Sequence, residues 1–154
     1  MTTTTGAPAY FAVPDPLDPG VMTYWYRVKR GRSAGQLAPW PPKARYHPAT
    51  WRDIPKGLTA DEQREAVLAY YAPVMEARRE IALIIDADPD TAAARFAALR
   101  TACCHCGKAL TDDRSRVYGI DPECRHGTPP ALLDRYAAAV GRAHAELLAE
   151  GATA

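Results

Sequence analysis

The chain has 154 residues, of which 47% are hydrophobic and 24% are charged, and its formal net charge is +1 at pH 7. These values are typical of one globular domain, or of a small body with an added metal-stabilised module. The small net charge excludes a protein that binds polyanions through its overall charge alone. No apolar run is long enough to predict a membrane-spanning helix, so we expect no membrane partner.

No targeting signal is expected from the first residues of the sequence. Residues 1–13 have neither a basic start nor a long apolar stretch, which predicts a cytoplasmic protein. In a reducing compartment the four cysteines are expected as thiols or metal ligands rather than as disulfides.

Residues 1–20 are rich in threonine and then in proline, which predicts a disordered or extended arm. Its apolar patch at residues 10–13 could dock on the body or on a partner. Four regions are therefore expected: the arm at 1–20, an α+β body at 21–100, a zinc-binding module at 101–127, and a C-terminal helix at 128–150 that packs on the body.

The body is predicted to begin with a β-hairpin or short sheet. Residues 21–30 alternate, with Tyr24, Tyr26 and Val28 on one face and Trp25 on the other, which is typical of a strand. A turn is expected at residues 31–33, and residues 36–56, rich in proline and aromatics, leave room for at most one short strand.

Helices fill most of the remaining chain. A capping box at Thr59 and Glu62 predicts a helix start, and Pro73 predicts a kink or a break into two helices. Asp88 precedes a further helix that is expected to end near Arg100. The last helix is expected from Thr128 to about residue 150. The fold class is therefore α+β.

The strongest motif holds all four cysteines. Cys103 and Cys106 have C-x-x-C spacing, and Cys124 follows after 17 residues, which is typical of a zinc site. Gly107 suits the sharp turn after the pair. Asp121 followed by proline predicts a helix start that carries Cys124. The C-x-x-C turn, here called the knuckle, is followed by a hairpin-like excursion and then by Cys124 on a helix. This order predicts a treble-clef-like zinc finger with structural Zn²⁺.

The fourth ligand is open at the sequence level. His126 is assigned to it because it lies next to the third cysteine, although C-x-H is a tight spacing. Cys104 and His105, inside the knuckle, are alternatives. Water or a carboxylate in this position would leave an open site of the catalytic kind. Cys104 is expected not to be a ligand, because adjacent cysteines rarely reach one ion together.

The segment from Cys103 to Cys124 resembles a domain of unknown function that is common in high-GC Gram-positive bacteria and their phages. That domain has the pattern C-x-x-C-G-[RK]-x-L-T-[DN]-x-x-S-x-x-x-G-[IY]-G-P-x-C. The matching positions are Cys103, Cys106, Gly107, Leu110, Thr111, Ser115, Gly119, Ile120, Pro122 and Cys124. Asp121 departs from the family's glycine. The resemblance implies a small zinc-bound module and no known activity.

A second feature is a local excess of positive charge. Between residues 21 and 58 there are eight basic residues and one acid, interleaved with aromatics. Such a mixture suits phosphate contacts and base stacking, although a strand with a solvated basic edge explains it as well. The candidate nucleic-acid or partner-binding residues are Arg27, Lys29, Arg30, Arg32, Trp40, Lys43, Arg45, Trp51 and Arg52.

Three functions compete. The first is a zinc-stabilised accessory nucleic-acid-binding protein of a phage or mobile element. The second is a protein-interaction adaptor or regulator of a DNA-processing enzyme, with no catalysis of its own. An open-site zinc hydrolase or nuclease ranks last, because no general base is recognisable beside the cysteines and no catalytic residue is assigned.

Overall fold

The computed structural model describes the backbone of residues 7–153 and the side chains of residues 7–151. Within that part, three antiparallel strands form one sheet in the order β1-β2-β3: β1 (Tyr10–Asp15), β2 (Asp18–Arg27) and β3 (Leu37–Pro39). Five helices follow: α1 (Ala60–Ala87), α2 (Pro89–Arg100), α3 (Asp113–Tyr118), α4 (Pro122–His126) and α5 (Pro130–Thr153). The predicted α+β class is confirmed.

Strand β1 is the most buried element of the sheet. Phe11, Ala12 and Val13 are almost inaccessible to solvent and pack in the same core cluster as Ile81 and Phe96 of the helices. Of the two alternatives for residues 1–20, a disordered arm does not describe residues 10–15, which form an extended strand whose apolar patch at residues 10–13 packs on the body; residues 1–6 lie outside the described part. Proline misled the prediction, because β1 is an edge strand, where Pro14 leaves no ladder hydrogen bond unmade.

Strand β2 buries residues on both of its faces. Trp25 is only 1% exposed, whereas Tyr24 and Tyr26 on the opposite face are half-buried. The indole Nε1 of Trp25 donates to Thr23 Oγ1 at 2.8 Å, which satisfies the buried donor. The Trp25 side is the more buried of the two faces, because helix α1 covers it, and Arg78 lies over the indole ring.

Helix α1 begins where the sequence predicts. Thr59 Oγ1 accepts from Glu62 N and the Glu62 carboxylate accepts from Thr59 N, which makes a complete capping box. Of the kink or break that Pro73 predicts, the break into two helices does not occur, because α1 continues through the proline as one helix. Its inward face, which includes Ile81 and Ile85, is buried against the sheet and supports the helix across the proline.

Helix α5 packs on α2 through small side chains. Ala139, Val140 and Ala143 of α5 contact Ala94 of α2 in a second buried cluster, which allows the two helices to approach closely. No helix within residues 7–153 combines the length and the apolar character needed to cross a bilayer.

A buried carboxylate holds the loop before α1 against the sheet. Asp15, which is 2% exposed, accepts hydrogen bonds from Tyr46 Oη at 2.6 Å, from Leu17 N at 3.0 Å and from His47 Nε2. Burial raises the pKa of Asp15, but the bonds from Tyr46, His47 and Leu17 outweigh it, so that the pKa lies below its usual value.

We expect Asp15→Asn to destabilise the protein by about 1–3 kcal/mol at neutral pH, because the amide leaves buried donors without acceptors. The folded-state pKa lies below the unfolded one, so this contribution is present above about pH 4 and is lost as pH falls through the folded pKa. Urea unfolding of both proteins from pH 7 downward measures the difference, which should shrink in acid. An equal difference at every pH would contradict the assignment.

Candidate metal centre

The first half of the site is a tight hairpin that directly follows α2. Ala102 and Ala109 form an isolated antiparallel bridge, and inside it Cys103 N donates to Lys108 O at 2.8 Å. Gly107 N donates to Cys103 O at 2.8 Å, and Gly107 has φ +78°. A side chain is strained in that left-handed conformation, so glycine is the residue that closes the turn without cost.

A backbone N–H group points at sulfur in this hairpin. His105 N donates to Cys103 Sγ at 3.4 Å. Such bonds stabilise negative charge on a thiolate, since the donor lies at the sulfur before any metal is bound. The hairpin therefore presents Cys103 and Cys106 as a pair prepared for a cation.

The second half of the site is the start of helix α4. Asp121 is its N-cap residue, as predicted, and its Oδ1 accepts from Cys124 N at 2.7 Å. This bond fixes Cys124 in the first turn. The predicted hairpin-like excursion between the two halves was wrong, because that segment contains helix α3, capped by Asp112.

Four side chains converge between the two halves. One ligand atom from each of Cys103, Cys106, Asp121 and Cys124 lies within 4.8 Å of the others. A tetrahedral zinc site with Zn–S bonds of ~2.3 Å separates its sulfurs by about 3.8 Å, so only small rotations of the side chains are needed. Three thiols and one carboxylate fit a divalent metal ion of the zinc type.

The electrostatics of the cluster favour a cation. Burial raises the pKa of both the Cys106 and the Cys124 thiols, and the neighbouring Asp121 carboxylate raises each further. The Cys106 thiol donates to Asp121 Oδ2 at 3.2 Å, a bond that needs the thiol proton. A bound divalent ion would reverse this balance, because it stabilises thiolates and takes the place of that proton.

The structure brings Asp121, rather than His126, to the three cysteines. His126 is exposed in the last turn of α4 and lies outside the cluster. Cys104 and His105 are buried but also lie outside it, so Cys104 sits where it was expected, away from the ligands. Sequence analysis assigned Asp121 only as a helix cap. The missed signal was that an N-cap side chain folds back over its first turn, where Cys124 lies.

The hairpin is joined to the sheet through β1. Cys104 O accepts from both Ala9 N at 2.9 Å and Tyr10 N at 3.0 Å. On its other side, Cys104 N donates to Gly119 O at 3.0 Å, just after α3. The position of the N-terminal end of β1 therefore depends on the hairpin that holds two of the cysteines.

We expect Asp121→Asn to weaken metal binding by at least about tenfold, because the amide keeps the cap acceptor but loses the negative charge. His126→Ala should bind metal as the parent does. Competition with a chromophoric chelator measures both affinities. If His126→Ala bound metal more weakly and Asp121→Asn bound it as the parent does, His126 would be the fourth ligand instead of Asp121.

The basic turn after β2 lies beside the hairpin. Lys29, Arg30 and Arg32 are exposed, and Lys29 Nζ donates to His105 O at 3.4 Å. Arg27 differs from them, because its guanidinium donates to Gly35 O at 3.0 Å and pairs with Asp86 at 3.2 Å. Three of the four predicted basic residues near β2 are thus open to a partner.

The other predicted binding residues are not collected at this turn. Trp40 packs against Phe96 with ring centroids 5.0 Å apart and belongs to the core. Trp51 follows His47, which bonds to Asp15 at the far end of β1. Lys43, Arg45, Trp51 and Arg52 are all exposed in this second segment. Of the three tryptophans of the chain, only Trp51 is exposed.

Residues 93–127 match the model of a family of unknown function, DUF6011. The matched stretch runs from within α2 through the hairpin, α3 and α4, and it contains all four residues of the cluster. The match agrees with the predicted domain of unknown function in this region. No curated protein and no solved structure matches the chain.

Proposed function

We propose that Cys103, Cys106, Cys124 and Asp121 hold one structural Zn²⁺. The proposal rests on the convergence of three thiols and a carboxylate within 4.8 Å, a donor set that suits zinc better than hard cations such as Mg²⁺ or Ca²⁺. A carboxylate in the fourth position was expected to leave an open site, but Asp121 completes a set of four protein ligands, which closes the ion to substrate. The role of the ion is then to hold the hairpin, α4 and β1 together.

We further propose that the protein binds nucleic acid through the basic turn beside the metal centre, as an accessory protein of a phage or mobile element with no catalysis of its own. The observation that supports it is the contact of Lys29 Nζ with the His105 carbonyl. It places the exposed turn beside the hairpin, and we call the three exposed residues Lys29, Arg30 and Arg32 the turn–hairpin face. Phosphate groups are the natural ligands of such clustered cations.

Replacing Arg30 and Arg32 by Glu should weaken binding to DNA or RNA at least about tenfold at 50 mM salt, because phosphate contacts are lost and repulsion is added. Fluorescence anisotropy with labelled oligonucleotides measures this. For the parent protein, affinity should fall steeply between 50 and 200 mM salt, since each neutralised phosphate releases counterions.

The matched control reverses two exposed arginines elsewhere, Arg64 on α1 and Arg142 on α5. It changes net charge by the same amount and should alter affinity far less. Equal losses in both double variants would show that only net charge matters. Absence of binding by the parent protein at low salt would refute the nucleic-acid proposal.

A protein-interaction adaptor is the second candidate. It is favoured by the outer face of α1, where Leu68, Met75 and Leu83 are 65%, 51% and 69% exposed. These residues lie on one side of the helix, away from the buried Ile81 and Ile85, and fit a partner that presents an apolar helix face. This candidate replaces the first if neither DNA nor RNA binds the parent protein.

A further inference from the structure

Trp51 has no structural role that explains its position. Its side chain is 68% exposed, although tryptophan is among the most hydrophobic residues and is usually covered. It lies in the loop before α1, next to a turn in which Asp53 Oδ2 accepts from Thr50 N at 2.8 Å and from Thr50 Oγ1 at 2.9 Å. The turn is thus internally bonded and presents the indole outward.

Two cations lie over the exposed indole. The guanidinium carbon of Arg52 and Nζ of Lys56 are each 5.2 Å from the centroid of the Trp51 ring. Both residues are exposed, and the nearest acid in the sequence is Asp53. The group Trp51, Arg52 and Lys56, here called the Trp51 platform, therefore joins an exposed aromatic ring to two positive charges, against one negative charge at Asp53.

The platform is separated from the turn–hairpin face. Lys29 contacts His105, whose hairpin bonds to the Tyr10 end of β1, whereas His47, four residues before Trp51, bonds to Asp15 at the opposite end. Six residues of β-strand span about 17 Å between first and last Cα atoms. The two basic groups are therefore distinct contact points on one molecule.

We propose that the Trp51 platform is a stacking site for an unpaired nucleobase, with Arg52 and Lys56 holding the adjoining phosphates. The inference rests on the proposed nucleic-acid binding and specifies its ligand as single-stranded DNA or RNA. Aromatic stacking needs the open face of a base, and a duplex covers that face with the neighbouring base pair. Arg52 and Lys56 lie over the ring on exposed side chains, and on stacking they would exchange the ring for the phosphates that accompany each base.

The fluorescence of the protein offers a direct test. Trp25 is 1% exposed and Trp40 packs against Phe96, so quenching by a stacked base has to come from Trp51. Titration of the full chain with a 16-nucleotide oligothymidine should quench a large part of the emission. A blunt duplex of equal length should quench little.

The second part of the test is the affinity of two Trp51 variants for labelled oligothymidine and for a labelled duplex, measured by fluorescence anisotropy. Trp51→Leu should bind oligothymidine about 5-fold to 150-fold more weakly, the range that loss of one stacked base produces, with little change for the duplex. Trp51→Tyr keeps an aromatic face and should recover most of the affinity. Metal content and circular dichroism should be unchanged in both variants, because the side chain lies outside the core.

The outcomes separate this inference from the proposal beneath it. Single-strand affinity within twofold of the parent in Trp51→Leu would overturn the stacking site while leaving nucleic-acid binding intact. Duplex binding without oligothymidine binding would do the same. Failure of the parent protein to bind either nucleic acid would overturn both.

Discussion

Loss of the metal is expected to unfold residues 101–127 and to destabilise the sheet with them. Cys106→Ser removes one of the four converging ligands, and a structural zinc site contributes about 10–16 kcal/mol of apparent binding free energy. That is comparable with the net stability of an ordinary domain, which is about 5–15 kcal/mol. Since Cys104 O holds both Ala9 N and Tyr10 N, the damage should reach β1.

Limited proteolysis and metal analysis of Cys106→Ser measure this effect, and a strong chelator applied to the parent should reproduce it. The control is Cys104→Ser, which changes a buried thiol outside the cluster and should keep one metal ion per chain. A metal-free parent protein that resists protease as well as the metal-bound form would refute the prediction.

Gly107→Ala is the second substitution with a large expected effect. A Cβ at this position would lie 2.8 Å from Tyr10 Cζ and 3.0 Å from Tyr10 Oη, and the backbone φ is +78°. The left-handed conformation costs about 1–2 kcal/mol for a residue with a side chain, and forced overpacking costs about 1–3 kcal/mol more. Thermal unfolding of the metal-bound variant and parent should show a loss of stability equal to the sum of these two costs.

Gly57→Ala is the matched control. Gly57 has the same φ of +78°, but nothing lies within 4 Å of an added Cβ. It should show the backbone cost alone, and the difference between the two variants measures how closely Tyr10 covers the hairpin. Equal losses in the two variants would mean that Tyr10 yields freely and that the contact does not stabilise the site.

Local signals in the sequence predicted the helix starts well. The caps at Thr59, Asp88 and Asp121 all depend on side-chain bonds within three residues, so the residue types alone specify them. The paired Cys103 and Cys106 were predictable for the same reason, because a C-x-x-C-G turn determines its own geometry.

The errors arose where distant contacts decide the structure. Tyr10 to Val13 form a core strand because β2 and the helices cover them, although the surrounding prolines favour a disordered arm. The single helix through Pro73 depends in the same way on its buried inward face. Such packing lies between residues far apart in the chain and leaves no local pattern.

The fourth member of the cluster differs from the predicted ligand for a related reason. His126 lies nearest to Cys124 in sequence, but it is exposed in the last turn of α4 and lies outside the cluster. Asp121, at the cap, folds back toward Cys106, with Oδ2 3.2 Å from Sγ. Distance along the chain was a poor guide, because α4 had already fixed the directions of the side chains.

X-ray absorption spectroscopy of the purified protein, with metal analysis of the same sample, tests the central claim most directly. The account predicts one zinc per chain with three sulfur ligands at ~2.3 Å and one oxygen ligand at ~2.0–2.2 Å. Protein purified without metal, or zinc with a histidine in place of the oxygen ligand, would contradict it.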